Sequence, residues 1–312
     1  MERVLNKGAG IIRENSRDTS WKLIDHQPVM VEQVLFFLNV KPGCVYIDAT
    51  CGTGHHTCAI LEKAKGKCVI LCVDKDHRAI ERAKGYLKDF LDRVIFVRDG
   101  FENIQRIIKR LNVNKISGIL FDLGFSSEQI SDPDVGLGFR QDALLDMRFD
   151  QSSSVSAYDV VNKWSEKNLE EIFRRYGEMK DAKKIARLIC KERKIKPFET
   201  TRHLADFIAR HRRTRKSIHP ATQAFQAIRI CVNNELENLK AGLEGSLKIL
   251  APGARIVVIS YHSLEDRIVK NFMKTKEQLK VLTKKPIVPD EIEKSINISA
   301  RSAKLRAAEV LP

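Results

Sequence analysis

The chain has 312 residues, 43% of them hydrophobic, which is enough for one large domain or for a domain that carries a second. No uninterrupted apolar run reaches about 18 residues, and the first 25 residues lack the apolar core of a secretory signal, so both a membrane-spanning and a secreted protein are excluded. We therefore expect a cytoplasmic protein with a partly disordered leader at residues 1–25. Seven scattered cysteines predict reduced thiols, and the formal net charge of +15 predicts an anionic partner if it is concentrated in one region.

The first half of the chain alternates strand and helix patterns. Buried strands are predicted at residues 45–49, 68–74, 93–99 and 118–124, with helices at 55–65, 76–90 and 101–111. This alternation is typical of a parallel sheet covered by helices. The predicted fold class is α/β, with a doubly wound, Rossmann-like sheet.

An inserted all-helical domain is predicted at residues 131–219, between two parts of the sheet domain at 26–130 and 220–312. This segment shows no convincing buried strand and has helical patterns at 167–176, 181–193 and 201–212. Between Arg174 and Lys216 it holds 16 lysines and arginines against 5 acidic residues, a net charge of +11. We interpret this excess as phosphate binding rather than as a solvated face. The densest run supplies the candidate contacts, which are Arg210, Arg212, Arg213, Arg215 and Lys216.

The alternation resumes after the insert. We predict one long helix over 221–250, a strand at 255–261, a helix at 264–274 and two short strands at 280–283 and 304–309. The sequence Ser-Leu-Glu-Asp at 263–266 also predicts a capping box with Ser263 as the N-cap and Asp266 at N3.

A glycine loop follows the first predicted strand, in the sequence Ile-Asp-Ala-Thr-Cys-Gly-Thr-Gly-His-His-Thr that starts at Ile47. Gly52 and Gly54 let the backbone approach a ligand, and Asp74 closes the next strand, where it can accept both hydroxyls of a ribose. A dinucleotide fingerprint needs glycine or alanine at position 57, which is threonine here. Asp48 at the first strand end suits a ligand with a charged amino-acid moiety. The pattern favours S-adenosylmethionine over NAD.

Two other uses of this loop are weaker. Cys44, Cys51 and Cys58 with the two adjacent histidines lack the usual spacings of zinc ligands, so we predict no metal. Cys51 as a covalent nucleophile needs a neighbouring base, and packing is the simpler interpretation.

Taken together, the motifs resemble the ribosomal RNA small-subunit methyltransferase H family, also called MraW. The resemblance covers about residues 26–311. Seven segments carry it in the family's order: HQPVM (26–30), DATCGTGHH (48–56), FDLGFSSEQ (121–129), LDMRFD (145–150), HPATQAFQAIRICVNNELE (219–237), SYHSLEDRIVK (260–270) and RSAKLRAAE (301–309).

The resemblance implies a class I methyltransferase sheet with a helical insert. It also implies methyl transfer from S-adenosylmethionine to N4 of a cytidine in the decoding region of 16S ribosomal RNA, with the basic insert holding RNA. The substrate expected is the assembled or nearly assembled 30S subunit, and a dimer is one option for the oligomeric state. The implied cofactor contacts are Gly54, His55, His56, Asp74, Phe101, Asp122 and Gln129, of which Phe101 and Gln129 rest on the resemblance alone.

Asp122 and His262 are the candidate catalytic residues. Asp122 ends the fourth predicted strand, at the sheet edge where doubly wound folds bind ligands, and is placed to accept a hydrogen bond from the target amine. His262 follows the fifth strand and is expected either to contact the base or a phosphate or to cap the next helix.

The sequence departs from the family in two places. His55 replaces a usual glycine, and if the loop needs a positive φ there the cost is roughly 1 kcal/mol. Val135 and the pair Ala143-Leu144 replace a usual arginine and Gly-Pro. An alternative function is therefore a ribosomal-RNA-binding assembly factor without turnover, and a nicotinamide dehydrogenase is a third hypothesis.

Overall fold

The computed structural model describes residues 28–124, 135–212 and 219–312. Its centre is a seven-stranded sheet with the order β3-β2-β1-β4-β5-β7-β6. The pairs among β1 to β5 are parallel, while β7 runs antiparallel to both β5 and β6. The strands are β1 (Val45–Asp48), β2 (Val69–Asp74), β3 (Val94–Arg98), β4 (Ile116–Asp122), β5 (Leu250–Ser260), β6 (Leu279–Val281) and β7 (Lys304–Val310).

Helices cover both faces of the sheet, because successive residues of a strand point to opposite faces. Tyr46 and Leu120 lie in the core on one face, while their neighbours Ile47 and Phe121 lie in the core on the other. This arrangement explains why the central strands read as continuous apolar runs. The helices of the sheet domain are α1 (Val31–Leu38), α2 (His55–Lys63), α3 (His77–Tyr86), α4 (Ile104–Leu111), α10 (Glu235–Leu247), α11 (Ser263–Thr275) and α12 (Glu291–Ile296), with 3-10 turns at Lys88–Arg93, Phe101–Asn103 and Ile298–Ser302.

The insert forms a helical lobe with a core of its own. Phe173, Phe198 and Phe207 are buried in this core, and so are Phe225 and Ile228 from the helix that follows the insert. The lobe's core therefore extends past residue 219, where the sequence predicted its boundary. Its helices are α5 (Ala157–Lys163), α6 (Glu166–Arg175), α7 (Ala182–Glu192), α8 (Thr201–His211) and α9 (Thr222–Asn233).

The predicted strands are confirmed with shifts at their ends, the largest at β5, which begins at Leu250 instead of residue 255. The single long helix predicted at 221–250 is wrong. Asn234 has φ +51° and ends α9, and α10 starts at the next residue. Asparagine adopts this left-handed conformation more readily than most residues, so an apolar periodicity that runs on through it does not show the break. The short helices α1, α5 and α12 were not predicted, although Ser156 with Asp159 and Asp290 with Glu293 mark the starts of the last two.

The predicted leader, residues 1–25, lies outside the described residues. No helix within the described ranges is long and apolar enough to cross a bilayer.

Candidate active site

A cleft of about 250 Å³ opens at the carboxyl ends of the parallel strands. The loop after β1 forms its floor, and Asp74, Asp99 and Asp122 approach it from the ends of β2, β3 and β4. In doubly wound folds ligands bind at this edge of the sheet. The helical lobe contributes one wall through Phe149 and Asn233.

The glycine loop carries its left-handed backbone angles on the glycines. Gly52 has φ +53° and Gly54 has φ +87°. A Cβ on Gly54 would lie 3.0 Å from Cδ1 of Leu87, so a larger residue there would also crowd that side chain. His55 is the first residue of α2 and is not among the residues with positive φ. The backbone at this position therefore does not require the glycine that is usual in the family.

The His55 side chain is held at the rim of the loop. Its Nδ1 is 2.8 Å from Oγ1 of Thr53, and its ring packs edge-on against Tyr86 with 4.6 Å between centroids. The His55 side chain thus lines the cleft, and the backbone of His55 is not in the left-handed conformation.

The Asp74 carboxylate is oriented by backbone amides. The Gly52 N–H donates to Oδ2 at 2.8 Å, and the Asp76 N–H donates to Oδ1 at 2.9 Å. Burial raises the pKa of Asp74, and these amide bonds oppose the rise. The loop and the acid are therefore one hydrogen-bonded unit, with the carboxylate fixed at the mouth of the cleft.

A second carboxylate, Asp122, is held by two side chains. The Tyr261 hydroxyl donates to its Oδ1 at 2.7 Å, and Nε2 of His56 lies 3.3 Å from its Oδ2. Burial lowers the pKa of the His56 imidazole, but its contact with Asp122 and the nearby charge of Asp48 outweigh burial, and the pKa is raised. Tyr261 was not predicted, although it lies in the segment SYHSLEDRIVK that carried the family resemblance.

Asp48 lies beneath this group and is 1% exposed. The Thr57 hydroxyl donates to its Oδ2 at 2.8 Å. Burial raises the pKa of Asp48 to about 6, against the opposing effects of His56 and the Thr57 hydrogen bond. Two acids and an imidazole are thus grouped here, of which His56 and Asp122 line the cleft and Asp48 is fully buried.

Phe101 lies at the β3 side of the cleft. Its ring packs edge-on against Phe121, with 5.6 Å between centroids. A Cβ on Gly242 would come within 2.7 Å of the Phe101 ring, so this glycine of α10 allows the ring to sit where it does. The predicted cofactor contact Gln129 lies outside the described residues, as do the predicted RNA contacts Arg213, Arg215 and Lys216.

His262 caps a helix, which is one of the two roles predicted for it. Its Nδ1 accepts from the Glu265 N–H at 3.4 Å, and Glu265 returns a hydrogen bond to the His262 N–H, so the two residues form the capping box of α11. The cleft is lined by the neighbours Tyr261 and Glu265 but not by His262. Ser263, the other candidate cap, instead donates to Glu178 at 2.6 Å.

The structure describes two residues of the predicted basic run, Arg210 and Arg212, and their side chains differ in exposure. Arg210 is exposed, while the Arg212 side chain is only 9% exposed. The Arg212 guanidinium donates to Asp181 at 3.0 Å, to the Pro220 carbonyl at 2.7 Å and to Gln223. Because each nitrogen of its guanidinium is engaged within the lobe, Arg212 stabilises the lobe, which argues against the phosphate contact predicted for this residue.

The wall made by the lobe depends on Asn233, which sequence reasoning also missed. Its Oδ1 accepts from the Phe149 N–H at 2.8 Å, and its Nδ2 donates to the Met147 carbonyl at 2.8 Å. Met147 is fully buried and has φ +63°, an uncommon conformation outside glycine. The asparagine amide therefore fixes a strained turn that brings Phe149 to the cleft.

Within the described ranges, one group of side chains is close enough to hold a metal ion. It consists of Glu235, His262 and Glu265, with ligand atoms within 4.8 Å of one another. Glu235 already binds the Arg229 guanidinium at 2.8 and 2.9 Å, and Glu265 is used in the capping box. These oxygens are committed to protein partners, and the cysteines near the glycine loop form no such group.

The sheet order, the glycine loop after β1 and the carboxylate at the end of β2 define a class I S-adenosylmethionine-dependent methyltransferase. The chain belongs to the MraW methylase family, which it matches over residues 23–311. It is 45% identical over 306 residues to the ribosomal RNA small subunit methyltransferase H of Carboxydothermus hydrogenoformans, covering 92% of this chain and 98% of that one. The proteins of the same name from Caldicellulosiruptor saccharolyticus and Clostridioides difficile are 44% and 42% identical, covering 92% and 91% of this chain and 99% and 98% of theirs.

The loop geometry predicts unequal costs at the two glycines. Gly52→Ala places a Cβ in open space, 4.0 Å from the nearest atom, and should lower the free energy of unfolding by about 1 kcal/mol through its φ alone. Gly54→Ala adds the contact with Leu87 and should cost more, and urea denaturation measures both. Equal losses in the two variants would contradict the described approach of Leu87.

The contact between His56 and Asp122 predicts how the free energy of unfolding depends on pH through the His56 imidazole. Because its native pKa is raised above the unfolded value, His56 contributes stability that is fully present below pH about 6.5 and is lost as pH rises through the native pKa. Asp122→Asn should lower the His56 pKa measured by NMR of the imidazole and should remove this pH dependence of unfolding. Tyr261→Phe keeps the Asp122 charge and is the control, so a drop of equal size there would refute the assignment.

Proposed function

We propose that this protein transfers a methyl group from S-adenosylmethionine to the exocyclic N4 of a cytidine in the decoding region of 16S ribosomal RNA. Membership of the MraW methylase family along nearly the whole chain carries this proposal. The relatives quoted above are named for the small-subunit ribosomal RNA, and we assign the same substrate class here.

The residues of the cleft fit the cofactor. Gly52 leaves bare backbone on the floor of the cleft, whereas the predicted contact Gly54 faces Leu87 and is not among the lining residues. The Asp74 carboxylate, oriented by two amides, is placed to accept the ribose hydroxyls. Phe101 offers an apolar ring for the adenine. The carboxylates along this edge favour a cationic ligand, and bound S-adenosylmethionine supplies a methyl group on a positively charged sulfur.

Asp122 is the proposed acceptor for the target amine. The lone pair of a cytosine amine is shared with the ring, so the amine is a weak nucleophile and positioning supplies most of the acceleration. Tyr261 holds one carboxylate oxygen and His56 lies against the other, which fixes the direction in which Asp122 accepts. No strong base is needed, because the amine proton becomes acidic only as the C–N bond forms, and it leaves by way of Asp122 or water.

The cellular setting is part of the proposal. We infer that the substrate is the assembled or nearly assembled 30S subunit in the cytoplasm. The support is the positive charge of the lobe, which matches a large polyanion.

The two rival functions lose their basis. The assembly factor without turnover rested on His55 and the altered insert, yet the described loop keeps its glycines at both left-handed positions and every relative quoted is named a methyltransferase. The nicotinamide dehydrogenase conflicts with the family.

The proposal predicts the methylated atom. Purified protein with isotopically labelled S-adenosylmethionine should label 30S subunits that lack the modification, and nucleoside mass spectrometry should find N4-methylcytidine in a fragment of the decoding region. Label on another atom of cytosine, or none in 16S RNA, would overturn it. Calorimetry with S-adenosylmethionine separates a failure of cofactor binding from a wrong substrate.

The role of Asp122 predicts graded losses of activity. Asp122→Asn should lower kcat by about 10²-fold or more, because it removes the charged acceptor in the transition state. Tyr261→Phe removes one hydrogen bond that orients this acceptor and should lower kcat by roughly fivefold to tenfold, as expected for about 1 kcal/mol. Single-turnover methylation at saturating cofactor measures both. A Tyr261→Phe loss as large as that of Asp122→Asn would show that Tyr261 itself is the essential group.

A further inference from the structure

Helix α7 of the lobe carries a row of exposed basic side chains on one face. Lys183, Lys184, Arg187 and Lys191 are all exposed. At 100° per residue they occupy an arc of about 100°, and the row from Lys183 to Lys191 is about 12 Å long. The buried residues of α7, among them Ile185 and Ile189, lie on the opposite side and pack into the core of the lobe.

This row combines four cations on one helix face with no acidic partner among the described residues. Some exposed lysines elsewhere pair with an acid one turn away, as in Lys84 with Glu81 at 2.8 Å and Lys240 with Glu237 at 2.7 Å. Across the part of the chain that the structure describes, none of the four side chains of the α7 row forms an ion pair, and Lys184 donates only to a backbone carbonyl, that of His211. The acid that precedes the helix, Asp181, is engaged by Arg212.

The arrangement works against the stability of the helix. Lys183 and Lys184 lie in its first turn, where the helix dipole favours anions, and no acidic residue accompanies them. Arg187 is one turn from Lys183, from Lys184 and from Lys191, and like charges at this spacing repel each other. A row of cations that the fold does not neutralise is suited to an external polyanion.

We propose that the α7 row binds the phosphate backbone of a helical segment of RNA. The row has no aromatic side chain on which a base could stack, and lysine ammonium groups contact phosphates as point charges without reading bases. The inference rests on the proposed function and deepens it by naming an RNA-binding face on α7, in addition to the predicted run Arg210–Lys216, in which Arg212 is committed internally.

The test compares two triple variants of the full-length protein that remove equal charge. One is K183Q/R187Q/K191Q in the α7 row. The matched control is K41Q/K63Q/K67Q, which changes exposed lysines before β1, at the end of α2 and before β2, in the other domain. The probes are an RNA hairpin and an unstructured RNA of the same length, with Kd measured over a range of KCl concentrations.

The α7 variant should bind the hairpin at least about tenfold more weakly, and the slope of log Kd against log salt should fall by about 2 to 3. The control should stay within about twofold of the unmodified protein. Equal weakening in both variants would show a mere net-charge effect and would overturn the proposal. A loss confined to the unstructured RNA would also overturn it.

Two further measurements keep the result interpretable. The thermal unfolding midpoint of the α7 variant should be unchanged or higher, because the substitutions remove like-charge neighbours, so weaker binding with an intact midpoint does not reflect misfolding. Cofactor calorimetry and 30S methylation by the unmodified protein test the proposed function separately. If the protein methylates 30S subunits and the α7 variant binds the hairpin normally, this inference fails while the function stands.

Discussion

The register of the parallel strands determines where the chemistry of this protein can take place. Asp48, the last residue of β1, is level with Cys72 on β2 and with Leu120 on β4. The two flanking strands therefore continue two residues further and end in Asp74 and Asp122. A notch is left above β1, with a carboxylate on each side and a buried carboxylate beneath it, and the glycine loop crosses this notch. A shift of one residue in either neighbour would turn its acid to the opposite face of the sheet.

Residues of the helical lobe form one wall of the cleft above this notch. Asn233 at the end of α9 ties down the turn that carries Phe149, and Glu178 in the lobe reaches α11 through Ser263 and through Arg267 at 3.0 Å. Glu178 has φ +48°, so this contact too is made from an unusual backbone conformation. The lobe is thus joined to the sheet domain close to the cleft as well as by chain connectivity.

Much of this architecture was predictable because it depends on local pattern. The strand ends, the glycine loop and the acid of β2 follow from apolar runs and from residues that a close backbone approach requires. Asn234 was missed because an asparagine in the left-handed conformation interrupts a helix without interrupting its apolar period. The parts that sequence could not supply are contacts between distant segments. Tyr261 and Asp122 are 139 positions apart, and nothing local to either predicts their hydrogen bond. The burial of Arg212 was hidden for the same reason, since a run of arginines looks alike whether or not one of them meets an aspartate 31 residues away.

The bend at Asn234 joins two helices with different neighbours. The helix before it is part of the core of the lobe, and the helix after it packs against the turn that holds Phe101. Anything that displaces the lobe therefore acts at the corner where adenine is expected to lie. If occupation of one region alters affinity at the other, thermodynamic reciprocity requires an equal effect in return, so nucleic acid and nucleoside would each report on the presence of the other.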